Sequence, residues 1–91
     1  MKIFNQERWG MLDNRLKVAV ACRYCALPYF SNLVVQTGLS ETEVDHGLYY
    51  MTDVGVLKES WKLVDGMWVK CFRYDDHCTN DFIDKVILEL A

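Results

Sequence analysis

The stretch Thr37-Gly38-Leu39-Ser40-Glu41-Thr42-Glu43-Val44-Asp45-His46-Gly47-Leu48 decides how the rest of this chain is read. Ser40 and Glu43 have the Ser-x-x-Glu spacing of a capping box. In that motif the serine oxygen accepts from the third helical N–H, and the glutamate reaches back to the serine's own N–H. A helix therefore starts here. Val44, Leu48 and Met51 follow at i, i+4 and i+7 on one face, and Gly55 closes the helix. Upstream of the cap, Gly38 offers the positive-φ position at which a preceding helix ends most cheaply. That helix carries Val34 and Val35, and Ser31, just beyond the single proline Pro28, is its expected cap. Two short helices joined by Thr37-Gly38-Leu39-Ser40 make a helix-turn-helix.

Working outward, the period changes from helical to two between Val56 and Tyr74. Asp65-Gly66 sits in the middle as a type I′ hairpin turn, which requires positive φ at both central residues. The turn pairs Val64 with Met67 and Trp61 with Lys70. It places Leu57, Trp61, Leu63, Trp68, Phe72 and Tyr74 on one face and Lys58, Ser60, Lys62, Val69, Cys71 and Arg73 on the other. The first set is the expected core face, which turns Cys71 away from the core. On the N-terminal side, Leu12, Leu16, Ala19, Val20 and Tyr24 recur at helical spacing and predict a first helix from about Leu12 to Cys25. A final helix from about Thr79 carries Phe82, Ile83, Val86, Ile87 and Leu90 as an apolar stripe that must cover either its own core or a second subunit.

The segment from Ser31 to Tyr74 resembles the winged helix-turn-helix of ArsR and MarR type transcription regulators. The resemblance is carried by Leu33, Gly38-Leu39-Ser40, Val44, His46, Leu48, Gly55-Val56-Leu57 and Asp65-Gly66. It implies an α+β fold, with a three-helix core, a two-stranded β-hairpin wing and a C-terminal helix. It also implies a DNA-binding regulator that dimerises through its first and last helices, so Leu12, Leu16, Phe82, Ile83, Val86, Ile87 and Leu90 are the expected dimer residues.

With 91 residues, 52% apolar and 25% charged, the chain is expected to form one domain over residues 1–91, and a domain this small has few side chains to divide between a core and a catalytic cavity. No run of apolar residues suits a membrane span or a signal peptide, so a soluble cytoplasmic protein is expected. The net charge of −3 is unevenly spread: residues 1–27 sum to +3, residues 28–55 to −4, residues 56–74 to +2 and residues 75–91 to −4. Neither histidine lies in a recognised nucleophile motif, and there is no phosphate-binding glycine loop. The expectation is that this is not an enzyme.

In a DNA-bound winged helix, the second helix of the motif presents its N-terminal side chains to base edges. Here those candidates are Thr42, Asp45, His46 and Tyr49, beside Glu41, and none is Arg, Lys, Asn or Gln, the usual donors to base edges. Lys58, Lys62 and Arg73 on one wing face and Lys70 on the other are candidate phosphate contacts, although exposed strands also carry lysines to discourage edge pairing. Arg8, Arg15, Lys17 and Arg23 extend the basic surface or solvate a helix. The acidic helix leaves a second function class open: a winged helix used for protein contact through Tyr49, Tyr50, Trp61 and Trp68.

Four cysteines without export features are read as thiols. Cys22 and Cys25 form C-x-x-C, and Cys71, His77 and Cys78 supply further soft ligands, of which Cys78 is a reasonable third on a zinc ion and Cys71, turned from the core face, is less convenient. Zinc knuckles place C-x-x-C in a tight turn, whereas this pair lies in a helix, and the cysteine pair of ArsR sensors has no counterpart in Pro28 to Leu33. No metal and no cofactor are therefore expected, and a thiol switch at Cys22, Cys25 or Cys78 stays as the alternative.

Overall fold

The computed structural model describes residues 5–75 and 81–90. Its order is α1 (Gln6–Met11), α2 (Asn14–Tyr24), α3 (Phe30–Thr37), α4 (Glu41–Asp53), β1 (Leu57–Val64), β2 (Met67–Tyr74) and α5 (Asp81–Leu90). The capping box of α4 forms as its spacing predicts: Glu43 N donates to Ser40 Oγ at 3.1 Å and Ser40 N to Glu43 Oε1 at 3.0 Å. Gly38 ends α3 with φ 73°, its N–H on the Val34 carbonyl. Between these helices the buried Thr37 hydroxyl donates to Leu33 O at 2.7 Å and accepts from Leu39 N at 3.3 Å, which fixes the turn.

α2 is the centre of the fold. Val18, Ala19, Val20, Ala21 and Cys22 are all buried, so this helix is covered on every side rather than along one stripe. One side joins Leu33, Val44, Leu48, Met51, Leu57, Phe72 and Ile83 in the main core, and the other packs Val20 with Trp9, Val86 and Leu90 in a smaller cluster. Its approach to α4 is close at Gly47, which is itself buried. The N-termini of the two helices are also tied: Asn14 Nδ2 donates to Glu43 Oε2 at 2.6 Å.

The hairpin has the expected register, with Val64 opposite Met67 and Trp61 opposite Lys70. Asp65 and Gly66 take φ values of 49° and 80°, as the type I′ turn demands. Its base is held by a third extended piece: Tyr29 bridges Cys71, and Phe72 N donates to Pro28 O at 2.9 Å. Tyr74 adds a bond from its hydroxyl to the Ala19 carbonyl at 2.6 Å, and burial pushes that hydroxyl's pKa well above the ordinary tyrosine value.

Four expectations need correction. Ser31 does not cap α3, because the helix starts at Phe30 with Tyr29 as an N-cap that makes no side-chain bond; Tyr29 is held extended by the Cys71 bridge instead. Leu12 ends α1 rather than opening the next helix, which starts after Asp13, whose carboxylate accepts from Arg15 N at 2.8 Å. Cys71 is fully buried although it lies opposite the expected core face, since both faces of β2 are covered at its base. Trp61, Leu63 and Trp68 share a face with Leu57 and Phe72 as expected, yet the hairpin outruns the core and leaves them 61%, 60% and 67% exposed.

α1 has no counterpart in the sequence reading. Asn5 caps it, Asn5 N donates to Leu90 O at 2.9 Å, and Arg8 Nη1 donates to Glu89 O at 2.7 Å, so the helix is fastened to the C-terminal end of α5.

Candidate nucleic-acid interface

α4 and the wing carry the candidate residues and stand side by side on the exposed flank of the helices. Because Val44, Gly47, Leu48 and Met51 face the core, the 3.6-residue period turns Glu41, Thr42, Asp45, His46 and Tyr49 to solvent. Tyr49 is 76% exposed. Tyr50, on the flank toward α2, has the Arg15 guanidinium 4.3 Å from its ring centre. That guanidinium also binds Asp13 at 2.9 Å, and this pairing holds the Asp13 carboxyl below the ordinary aspartate range.

Glu43 belongs to the scaffold rather than to the exposed face. The Ser40 backbone N–H, then the Ser40 hydroxyl and the Asn14 amide, hold its carboxyl below the ordinary glutamate range. Once Glu43 is set aside, α4 still presents Glu41, Asp45 and Asp53 to solvent and carries no lysine or arginine.

Between α4 and the wing lies an open cleft of about 990 Å³. Asp45, His46, Tyr49, Thr52 and Asp53 line one wall, Glu59, Lys70 and Phe72 the other, with Phe30 and Leu48 at the floor. Lys70 reaches Glu59 at 3.4 Å across the two strands. The wing face that looks into this cleft is therefore the one that carries Trp61, Leu63 and Trp68 farther out. Lys58, Lys62 and Arg73 occupy the opposite face, where Lys58 stands opposite Arg73 and Lys62 opposite Val69. The eight candidate nucleic-acid residues thus divide. Thr42, Asp45, His46, Tyr49 and Lys70 flank or line the cleft, and the other three cations lie on the wing's outer surface.

The thiols are spread apart in role. Cys22 lies in the core, and burial pushes its pKa up to about 12, which makes it a poor nucleophile and a poor ligand. Cys25, half-buried at the end of α2, accepts from Asn32 Nδ2 at 3.2 Å and donates to Leu27 O at 3.5 Å. Cys78 and His77 lie outside the described residues, among which no three His, Cys, Asp or Glu groups converge. Of the expected dimer residues, Ile83, Val86 and Leu90 are buried against the chain's own α1 and α2. Leu12, Leu16 and Ile87 are half-buried against the same clusters, and the side chain of Phe82 lies outside the described residues.

Tyr29 has no place in the sequence reading, and the wing's outer aromatic group, of which Trp61 and Trp68 are named there for protein contact, is not expected there to stand clear of the core. The first gives no periodic signal. The second shows in the alternation of Trp61, Leu63 and Trp68, but alternation alone does not reveal where a covering layer stops.

Helix, turn, helix and a hairpin whose base packs on the helices define a winged helix-turn-helix, here with a flanking helix at each end. No protein-family model matches the chain, and no curated protein is similar to it. Among solved structures it is similar to a possible transcriptional regulator from Methanosarcina mazei Go1, with a TM-score of 0.59 and 15% sequence identity, over 92% of this chain and 73% of that one. At this identity the likeness is one of fold. Among the described residues no helix is long and apolar enough to cross a membrane.

Proposed function

We propose that this chain is a transcription regulator that binds duplex DNA as a homodimer, with α4 at the major groove and the wing on the flanking backbone. One observation carries this reading: Thr42, Asp45, His46 and Tyr49 stand exposed on the N-terminal half of α4, beside a projecting hairpin whose Lys58, Lys62, Lys70 and Arg73 outnumber Glu59 and Asp65. Lys62 and Arg73 make no ion pair among the described residues, so both are available to phosphates. The acidic exposed face of α4 assigns most of the affinity to the wing and leaves α4 a modest share in reading bases. The reading implies a cytoplasmic protein that needs no cofactor and catalyses no reaction.

The test is fluorescence anisotropy with labelled random duplex at ~50 and ~200 mM salt, the range over which phosphate-driven affinity collapses. The wild type binds at the lower salt and weakens steeply at the higher. The double variant Lys58→Ala/Lys62→Ala binds more weakly, and its log–log salt slope is shallower by about 2, near one unit for each lost phosphate contact. An unchanged slope removes the wing from the interface.

A second reading, docking of a protein on α4, draws on a separate observation: the α4 wall of the cleft carries Asp45 and Asp53 and no lysine or arginine. The same titration separates the two readings, since a protein-docking module gives no duplex binding at ~50 mM salt.

A further inference from the structure

The wing has two unlike faces. On one, Leu63 lies directly opposite Trp68, and Trp61 is diagonal to Trp68 and opposite Lys70. These three apolar side chains are all more than half exposed, and Met67 at the turn is 70% exposed. The other face carries Lys58, Lys62 and Arg73. Fold stability does not require two tryptophans at these positions, because the core ends at Leu57 and Phe72 near the hairpin's base. A patch of this kind, left open to water, costs solubility and marks a binding surface.

The charge around the patch selects its partner. Residues 56–74 sum to +2 in a chain of net charge −3, so the aromatic group sits on the basic part of an acidic molecule. The rings share their face with Lys70, and Lys58, Lys62 and Arg73 lie on the reverse face of the same two-stranded hairpin. A polyanion that also offers flat apolar surfaces can take both, and nucleic acid with exposed bases is such a ligand. Bases stacked inside an intact duplex cannot reach the rings. Unpaired bases, or a base step that has been pried open, can.

Resting on the reading above that the wing contacts DNA, we propose that Trp61 and Trp68, supported by Leu63, form a stacking platform for unstacked bases while Lys58, Lys62 and Arg73 hold the adjoining backbone. The chain then favours unpaired or kinked DNA over a regular duplex. The discrimination comes from the wing, because only unstacked bases reach the rings.

The experiment uses three labelled probes: a random duplex of about 20 base pairs, the same duplex with a short unpaired bubble at its centre, and oligothymidylate of about 20 nucleotides, longer than the ~4–16 nucleotides that one small single-strand-binding fold covers. Anisotropy gives the affinities, and tryptophan emission reports stacking directly, since Trp61 and Trp68 are exposed whereas Trp9 is buried. The expected result is roughly tenfold tighter binding to the bubble than to the intact duplex, with quenched emission. Trp61→Ala/Trp68→Ala removes that preference and leaves intact-duplex binding nearly unchanged; its circular dichroism and melting temperature match the wild type because neither ring is in the core. Equal affinity for bubble and duplex, or a preference that survives the double substitution, overturns the platform and leaves the duplex-binding reading standing. Failure to bind any of the three probes at ~50 mM salt overturns both, and points the patch toward a protein partner.

Discussion

A methyl group added at Gly47 would stand 2.7 Å from Val18 Cγ2, whereas one added at Gly10 meets nothing within 4 Å. Both glycines are helical, so propensity alone favours alanine at each by up to about 1 kcal/mol. At Gly47 that gain is opposed by overpacking of about 1–3 kcal/mol, because Val18 is fully buried and has little room to yield. Gly47→Ala is therefore expected to lower the melting temperature and Gly10→Ala to raise it slightly, and thermal denaturation of the two variants checks both signs. From sequence, Gly47 is only a weak helix former between Val44 and Leu48. That it is the contact point of two helices follows from where α2 lies, which no local pattern records. Cys22 is similar: its place in C-x-x-C suggests chemistry, and its burial beside Ala19 and Ala21 removes it.

Among the elements, those built on short-range rules were legible and those built on long-range contacts were not. Capping box, Gly38 and Asp65-Gly66 each act through neighbours in the chain, so their residues alone located α4, the end of α3 and the hairpin register. α1 is too short to show a period and owes its helix to bonds with Glu89 and Leu90 at the far end of the chain. The cap of α3 was misplaced for the same reason, since Tyr29 is held by β2. The local devices also make a prediction. Ser40→Ala removes the hydroxyl half of the capping box, leaves the backbone N–H that donates to Glu43, and is expected to cost about 0.5–2 kcal/mol in denaturant unfolding. Glu43 and Asp13, both held below their ordinary values of 4.5 and 3.8, give stability that is fully present above those values. It is lost as the pH falls through their lower folded-state pKa values, so an acid titration of wild type should lose this part and Ser40→Ala should lose less of it.

At the scale of the whole molecule the chain measures 38 × 27 × 22 Å, the long dimension of a body with a projecting arm. Charge is divided along it, with an acidic α4, a basic wing and an acidic C-terminal stretch, and this division was readable in the sequence before any fold was known. The dimer surface was less legible, because an apolar stripe does not say which copy covers it. With Ile83, Val86 and Leu90 taken up internally, the large exposed apolar side chains on α1 and α5 among the described residues are Met11 and Leu88, 81% and 74% exposed, and Met11 borders a groove lined by Arg8, Leu12 and Glu89. If the proposed homodimer forms there, Met11→Asp/Leu88→Asp sediments as a monomer under conditions where the wild type sediments as a dimer. A wild type that is already monomeric at tens of micromolar removes the dimer from the proposal. The arm itself is a cantilever. Bonds from Phe72 to Pro28 and from Asp75 to Val56 clamp its root, while among the described residues the backbone of 61–70 is hydrogen-bonded only within the hairpin. Amide hydrogens near the root should then exchange with water at close to the global unfolding rate and those beyond Trp61 orders of magnitude faster, a gradient along a single ladder. If the wing grips DNA as proposed, a stiff root with a compliant tip lets the same hairpin follow targets of different curvature without disturbing the helices behind it.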